Sequence, residues 1–167
     1  MVAAGCGSSS SSTSKSAAAA APVSSTSGGS GPYGAAASGT ATSTPPAGAL
    51  TITTKSSNLG TILAAGPKRL TVYLFEADKA TSSSCSGKCA VVWPPVIGKP
   101  KAAGQAQAAD LGTITRSDGT IQVTYKGHPL YYFVKDKDDG DAYGQGINSF
   151  GAPWYVLAPT GAMIDKS

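Results

Sequence analysis

From Leu50 onward the apolar and polar residues alternate in short runs, and this pattern predicts β-strands separated by turns. Residues 50–54 place Leu50 and Ile52 on one face, as a strand with one buried face does. Further runs predict strands at 59–63, 70–75, 90–93, 111–115, 121–125, 130–134 and 154–157. We expect about eight short antiparallel strands, with turns at 55–58 and 64–67 between the first three.

The second half of the chain contains the clearest hairpin signal. Ser117-Asp118-Gly119 lies between the runs 111–115 and 121–125, and the second run carries on one face Ile121, Val123 and Tyr125. An Asp-Gly pair between alternating runs favours a tight hairpin, because its turn needs positive φ angles that glycine adopts readily. We therefore expect these two runs to pair with each other.

The motif Tyr-x-Phe-x-x-Asp occurs twice, and a tryptophan in an apolar setting follows each copy. The residues are Tyr73, Phe75, Asp78 and Trp93 in the first copy and Tyr131, Phe133, Asp136 and Trp154 in the second. Such self-similarity indicates an internal duplication. We predict an all-β fold of two similar repeats, 49–98 and 110–162, joined by a linker at 99–109. Each repeat would supply about four short antiparallel strands to a small sandwich or barrel-like domain.

Both faces of the two motif strands are apolar. One face of each strand carries the motif aromatics, and the other carries Val72 and Leu74 in the first copy and Leu130, Tyr132 and Val134 in the second. A strand that is apolar on both faces belongs in the centre of a domain. We expect the motif strands to be covered on both sides.

Asp78 and Asp136 end the two copies where each strand gives way to a polar loop. A carboxylate at such a place accepts backbone N–H bonds from the turn, so we favour a structural role over a ligand or metal role. The loop after the second copy is rich in acids, with Asp136, Asp138, Asp139 and Asp141. Calcium is the alternative interpretation of this loop. Its spacing departs from that of an EF-hand, which favours a solvated turn.

Cys85 and Cys89 lie in the loop of the first repeat with three residues between them. Oxidising conditions outside the cytoplasm favour a disulfide, which would staple a small core. A redox-active pair is a weaker alternative, because the spacing is not Cys-x-x-Cys. Zinc or copper held by the two cysteines and His128 is another, although a fourth ligand is not evident. His128 lies between Gly127 and Pro129, which favours a turn residue.

The first third of the chain has a different texture. Residues 7–48 are nearly all Ser, Ala, Gly, Thr and Pro, with Lys15 as the only charge. So few apolar side chains cannot offset an ordering entropy of about 1–2 kcal/mol per residue, and we expect a disordered tether. Residues 1–6 are typical of the end of a bacterial lipoprotein signal, in which Cys6 receives a diacylglyceryl group. The alternative is a chance cysteine in a tail of small residues.

Composition excludes several classes of function. The net charge is +4 and charged residues are 13%, without a Lys/Arg cluster interleaved with aromatics, so we expect no nucleic-acid partner. No apolar run approaches the roughly 20 residues of a membrane-spanning helix, so membrane contact would come through a lipid on Cys6. The chain lacks a Gly-x-Ser-x-Gly elbow, and we expect neither an enzyme nor a cofactor.

Further features follow the two motif copies in a fixed order. They are Cys85-Ser86-Gly87-Lys88-Cys89, Trp93-Pro94-Pro95, Asp118-Gly119-Thr120, Gly127-x-Pro129-Leu130-Tyr131, Gly140-Asp141, Gly144-Gln145-Gly146 and Trp154. Over about 50–161 the chain therefore resembles the bacterial secreted-repeat lipoproteins that are defined by a Tyr-x-aromatic-x-x-Asp motif. The resemblance implies export, a lipid anchor and a repeated build. The family has no settled biochemical activity, so the resemblance implies no chemistry.

These observations support one leading hypothesis and one rival. The leading hypothesis is a protein anchored by lipid on the extracytoplasmic face of the bacterial membrane. Its duplicated β domain would be a non-catalytic binding or structural module with a cell-wall or surface-protein partner. The rival is an extracytoplasmic redox, electron-transfer or metal-handling protein that uses the tyrosines, the tryptophans and the cysteine pair. Hydrolysis of wall polymers has no support, because the distance between carboxylates cannot be derived from sequence.

Overall fold

A computed structural model describes residues 49–166, in which short strands dominate and one short helix occurs. The strands are β1 Ala49–Ser57, β2 Gly60–Ala65, β3 Leu70–Thr71, β4 Tyr73–Phe75, β5 Lys99–Ala102, β6 Leu111–Thr115, β7 Ile121–Tyr125, β8 His128–Pro129, β9 Asn148–Ser149 and β10 Ala152–Val156. The helix α1 covers Lys88–Val92, and a single 3-10 turn covers Ala108–Asp110. The predicted all-β class is confirmed. Cys6 and the predicted tether at 7–48 lie outside the described residues.

The strands form three small sheets with the orders β3-β2-β1-β5, β4-β10-β9 and β6-β7-β8. Within the described chain these pairs are antiparallel except β1 and β5, which run parallel from Ala49 opposite Lys99 to Ile52 opposite Ala102. The segment 99–109, which the sequence suggested as a linker, thus contributes strand β5 to the first sheet.

The predicted hairpin in the second repeat is present residue for residue. Strands β6 and β7 pair from Leu111 opposite Tyr125 to Thr115 opposite Ile121. Gly119 has a φ of 80°, and the Asp118 carboxylate accepts the N–H of Thr120 at 2.9 Å. The Asp-Gly turn therefore fixes the register of this hairpin, as its sequence indicated.

The prediction of a strand at 90–93 is wrong, because most of this run lies in helix α1. The Cys85–Cys89 disulfide holds the two Cα atoms 5.2 Å apart, whereas four extended residues would separate them by about 13 Å. The chain must therefore coil before residue 90, and the N–H of Trp93 donates to the Cys89 carbonyl at 2.8 Å. A short apolar run fits a helix or a strand equally well, so periodicity could not decide between them.

Three other boundaries differ from those predicted. Strand β1 continues to Ser57 and β2 to Ala65, so the residues predicted as turns at 55–57 and 64–65 belong to a long hairpin. The predicted strand 70–75 is interrupted at Val72. The predicted strand 130–134 is replaced by the short β8 and by isolated bridges of Tyr131 to two separate neighbours. The last two departures reflect a change of pairing partner along the chain, which local periodicity does not report.

Two apolar clusters lie on opposite sides of the motif segments. The first contains Val72, Leu74 and Leu130, with Tyr132 packed against it. The second contains the motif aromatics and both cysteines of the disulfide. The alternation along the motif strands therefore separates their side chains as predicted, although Val134 is 42% exposed. The motif segments form the wall between the two halves of the core.

The two repeats exchange strands. In the second repeat β10 pairs with β4 of the first, with Trp154 opposite Phe75. In the mirror arrangement Pro95 of the first repeat bridges Tyr131 of the second. Between these pairs, Tyr73 and Tyr131 exchange backbone hydrogen bonds of 2.9 and 3.0 Å. Equivalent residues of the two motif copies thus meet each other, and the repeats are joined by the β4–β10 pair and by isolated bridges.

This exchange predicts that neither repeat folds alone. Fragments 49–104 and 105–166, produced separately, should be unfolded by circular dichroism, because each lacks the strand and the rings that cover its own core. Mixing them should restore the β spectrum and a cooperative melt. As a control, a Trp154→Ala version of the second fragment should fail to restore it. A stable fold in either isolated fragment would contradict the exchange.

Candidate functional site at the junction of the repeats

A stack of aromatic rings joins the two repeats. Trp93 and Trp154 are fully buried and parallel, with ring centroids 4.0 Å apart and planes 2° from each other. Phe75 extends the stack beyond Trp154 at 4.1 Å, and Phe133 extends it beyond Trp93 at 4.4 Å. Each phenylalanine therefore stacks on the tryptophan of the other repeat. Such ring pairs stabilise by about 0.5–1.5 kcal/mol each beyond the area that they bury.

The motif tyrosines contact the stack edge-on and reach across to the other repeat. The ring centroid of Tyr73 lies 5.3 Å from that of Trp93, and the Tyr73 hydroxyl donates its proton to Oδ2 of Asp136 at 2.6 Å. Tyr131 lies 5.1 Å from Trp154 and donates to Oδ2 of Asp78 at 2.5 Å. We call these two hydrogen bonds the Tyr–Asp pairs. The tyrosine of one motif copy therefore binds the aspartate of the other copy.

The second oxygen of each aspartate holds its own loop. Oδ1 of Asp78 accepts the N–H of Ser84 at 2.6 Å, and Oδ1 of Asp136 accepts the N–H of Tyr143 at 3.0 Å. These are the backbone contacts for which a carboxylate at the end of a strand is suited. Each aspartate thus fixes its own loop and at the same time anchors the tyrosine of the neighbouring repeat.

A glycine allows the loop of the second repeat to approach the stack. The N–H of Gly144 donates to the Tyr73 hydroxyl at 3.2 Å. A Cβ at this position would lie 2.8 Å from ring atoms of both Tyr73 and Trp93. Only glycine fits so close to two buried rings, which explains one glycine of the Gly-Gln-Gly segment.

Burial governs the acidity of both pairs. It raises the pKa of Tyr73 and of Tyr131 well above the ordinary value, and the hydrogen bond to the carboxylate raises each pKa further. Burial also raises the pKa of Asp78 and of Asp136, although the tyrosine hydroxyl opposes this shift in each case. The phenols therefore stay protonated, and each donates its proton to a carboxyl group of reduced acidity.

Arg116 of the second repeat holds the disulfide loop of the first. Its guanidinium donates to Cys85 carbonyl oxygen at 2.6 Å and to Ser83 Oγ at 2.7 Å. A third bond, of 2.6 Å, goes to Oε1 of buried Gln122. Sequence reasoning did not single out this arginine. The available signal was a glutamine in the predicted strand 121–125, since a buried amide needs a polar partner.

Lys55 of the first repeat holds the acidic loop of the second. Its side chain is only 3% exposed, its Nζ lies 3.6 Å from Oδ1 of Asp139, and it also donates to the Asp139 carbonyl oxygen. Arg69 approaches the other oxygen of Asp139 at 3.3 Å. Burial lowers the pKa of Lys55, while the negative charges of Asp139 and Asp136 oppose that shift. This lysine too was missed by sequence reasoning.

The predicted disulfide between Cys85 and Cys89 is confirmed. Both cysteines are buried in the second apolar cluster beside the motif aromatics. Sulfurs bonded to each other are not thiolate ligands, so they form no metal site with His128 here. His128 itself starts β8 and is exposed at the rim of a separate cavity.

The acidic loop does not gather its carboxylates around one point. Asp136 binds Tyr73, Asp139 binds the two cations of the first repeat, and Oδ2 of Asp141 accepts the N–H groups of residues 137 and 138 at 2.7 and 3.0 Å. Asp138 contributes its backbone N–H to this last turn. Across 49–166 no group of three or more His, Cys, Asp or Glu side chains is placed to hold a metal ion.

One cavity lies next to a Tyr–Asp pair. Its volume is about 550 Å³, and its wall consists of Leu74, Phe75, Glu76, Asp78, His128, Gly161, Ala162 and Met163. The cavity combines an apolar floor with two carboxylates, an imidazole and a thioether. It is large enough for a small ligand, and Asp78 connects it to the buried network.

The fold and the site define a class of protein: an all-β domain of two interlocked repeats with a disulfide, as is typical of proteins outside the cytoplasm. A family profile described as a secreted repeat of unknown function matches residues 53–97 and 112–158. The chain belongs to this family, and the predicted duplication is confirmed. Neither a curated protein nor a solved structure matches the chain. In the part of the chain that the structure describes, no helix has the length and apolarity to span a bilayer.

Removing one hydroxyl from a Tyr–Asp pair should destabilise the domain. We expect Tyr73→Phe and Tyr131→Phe each to lower the free energy of unfolding by about 1–3 kcal/mol, because a buried carboxylate loses its partner. Tyr143→Phe, at a ring that is 65% exposed, should change it little. Urea unfolding followed by tryptophan fluorescence measures all three. Equal stability of the three variants would show that the pairs do not hold the repeats together.

The raised tyrosine pKa values predict a loss of stability in alkali. A group whose pKa is higher in the folded state stabilises that state fully below its unfolded pKa of about 10. This contribution is lost as the pH rises above 10, because the unfolded phenol ionises first. Urea unfolding at pH 8 and above pH 10 should show the decrease. It should be smaller in Tyr73→Phe/Tyr131→Phe, in which the raised pKa values of Tyr125 and Tyr132 remain. Free ionisation of both buried tyrosines near pH 10, seen by ultraviolet absorbance without unfolding, would disprove the shift.

Proposed function

We propose that this protein is anchored by lipid on Cys6 and carries its duplicated domain as a non-catalytic module in the bacterial cell envelope. The observation that supports the module most directly is the reciprocity of the junction. Tyrosines, aspartates, phenylalanines and tryptophans of both motif copies bind one another. The motif residues thereby hold the two repeats together. Binding would fall to the surface residues around the junction.

The cavity beside Asp78 offers a partner a surface that adjoins a Tyr–Asp pair. Its wall comes from β4, from the start of β8 and from the turn at 161–163, so segments of both repeats meet there. A partner in the cell wall or on another surface protein would contact the exposed His128 and Glu76 at its rim. Binding there would be possible only when both repeats are folded together.

Thiol redox chemistry receives less support than the module. Cys85 and Cys89 are joined, buried and packed among aromatic rings, whereas catalytic cysteines need exposure and an electropositive setting. The disulfide therefore stabilises the loop that Arg116 and Asp78 also hold by hydrogen bonds.

The anchor can be tested by lipid labelling. When the full chain is expressed in a bacterium with an export signal, the wild type should incorporate labelled palmitate and fractionate with membranes. Cys6→Ser should lose both properties and appear in the medium, whereas the matched control Ser8→Ala should keep them. An unlabelled wild-type protein that fractionates like Cys6→Ser would disprove the anchor and leave the domain's structure untouched.

A further inference from the structure

The junction of the repeats contains a continuous line of redox-capable side chains. It begins at the Asp136–Tyr73 pair, passes to Trp93 at 5.3 Å and to Trp154 at 4.0 Å, and reaches Tyr131 at 5.1 Å. The line ends at the pair of Tyr131 with Asp78. Every ring contacts the next, so an electron can pass along the line without crossing a gap of solvent or aliphatic side chains. We call it the aromatic line.

Each end of the aromatic line has an acceptor for a proton. A phenol that loses an electron becomes a strong acid and must give up its proton to stay oxidised. The carboxylates lie 2.6 Å from the Tyr73 hydroxyl and 2.5 Å from the Tyr131 hydroxyl. Burial makes both carboxyl groups weaker acids and hence better bases. The geometry therefore couples removal of an electron to a short proton transfer at both ends.

A purely structural role would not require buried phenol–carboxylate pairs beside two tryptophans. Aliphatic side chains fill a core of this size, and burying two phenol–carboxylate pairs costs desolvation energy that apolar contacts avoid. The rings are also shielded from water, because both tryptophans and both motif tyrosines are fully buried. A radical formed in such a place is protected from the reactions that would quench it at the surface.

We propose that the aromatic line is a one-electron relay that stores an oxidising equivalent as a neutral tyrosyl radical on Tyr73 or Tyr131. A one-electron oxidant outside the cell, of the class of peroxide-derived radicals, takes an electron from the tryptophan pair. The tryptophan cation radical then regains an electron from the neighbouring tyrosine, whose hydroxyl proton moves to the carboxylate. The products are neutral tryptophan, a tyrosyl radical and a protonated aspartic acid, so that charge and atoms balance.

Surface access exists at both ends of the line. Asp78 lies in the wall of the cavity described above. At the other end, the loop residue Tyr143 is 65% exposed and directly precedes Gly144, whose N–H contacts the Tyr73 hydroxyl. An oxidant or a reductant can therefore approach either end. The relay requires only the folded domain, so it does not depend on the lipid anchor.

Flash photolysis of the full chain with tris(bipyridine)ruthenium and a cobalt(III) acceptor tests the relay. The photogenerated ruthenium(III) should first produce a tryptophanyl radical, which should decay into a tyrosyl radical detected by its optical and electron paramagnetic resonance spectra. Tyr73→Phe and Tyr131→Phe should each slow the decay of the tryptophanyl radical by about half, because one of its two tyrosine electron donors is lost, whereas the tyrosyl yield should fall only in the double variant. The double variant should retain the tryptophanyl radical. The control Tyr132→Phe, whose ring packs in the other apolar cluster, should behave as wild type.

A second measurement tests whether the carboxylates accept the phenol proton. In Asp136→Asn the amide cannot accept the proton, so the tyrosyl yield at Tyr73 should fall while the initial tryptophanyl yield stays unchanged. Should this variant fail to fold, the wild-type tyrosyl g-tensor should still report a hydrogen bond from a protonated carboxyl group. An unchanged tyrosyl yield in the Tyr73→Phe/Tyr131→Phe variant would overturn the relay. So would a wild-type protein that forms only the tryptophanyl radical.

Discussion

The rest of the structure depends on the exchange of hydrogen bonds between the tyrosine of one repeat and the aspartate of the other. Tyr73 and Tyr131 carry buried hydroxyls whose carboxylate partners come from across the junction. A buried polar group without its partner costs about 1–3 kcal/mol, so neither repeat can bury its own tyrosine alone. The stack of Phe75, Trp154, Trp93 and Phe133 follows the same rule of exchange. The Tyr-x-Phe-x-x-Asp motif is therefore a joint between the repeats. The tyrosine of each copy finds its carboxylate partner in the other copy.

The two halves keep this joint and differ in what surrounds it. A disulfide and Arg116 hold the loop after Asp78, whereas Lys55 and Arg69 hold the acidic loop after Asp136. In both halves the loop of one repeat is fixed by a cation from the other. The residues that hold the two loops therefore differ, although in both cases they come from the opposite repeat. The cavity with His128 lies beside the pair of Tyr131 with Asp78.

Sequence reasoning predicted much of the fold and one part of the junction. The period-two pattern located β6, β7 and β10, and the Asp-Gly turn fixed a register. Two cysteines in one loop of a chain expected to be exported indicated the disulfide. Sequence reasoning failed at α1, because a cross-link that bends the chain outweighs the strand preference of a short apolar run. The exchange between repeats was not predictable, since the motif pattern is the same whichever aspartate its tyrosine binds. Lys55 was missed because its partner Asp139 is distant in sequence, and Arg116 was missed because Gln122 in β7 was not recognised as an amide that needs a buried polar partner.

A double-mutant cycle tests the joint most directly, because it separates pairing across the repeats from pairing within one. The free energy of unfolding would be measured for Tyr73→Phe, Asp136→Asn and Asp78→Asn, and for the tyrosine change combined with each aspartate change. The account predicts a coupling energy of about 0.5–3 kcal/mol between Tyr73 and Asp136, since they share a hydrogen bond. Between Tyr73 and Asp78, the aspartate of its own motif copy, the coupling should be near zero. A coupling that is larger within the copy than across the repeats would contradict the account.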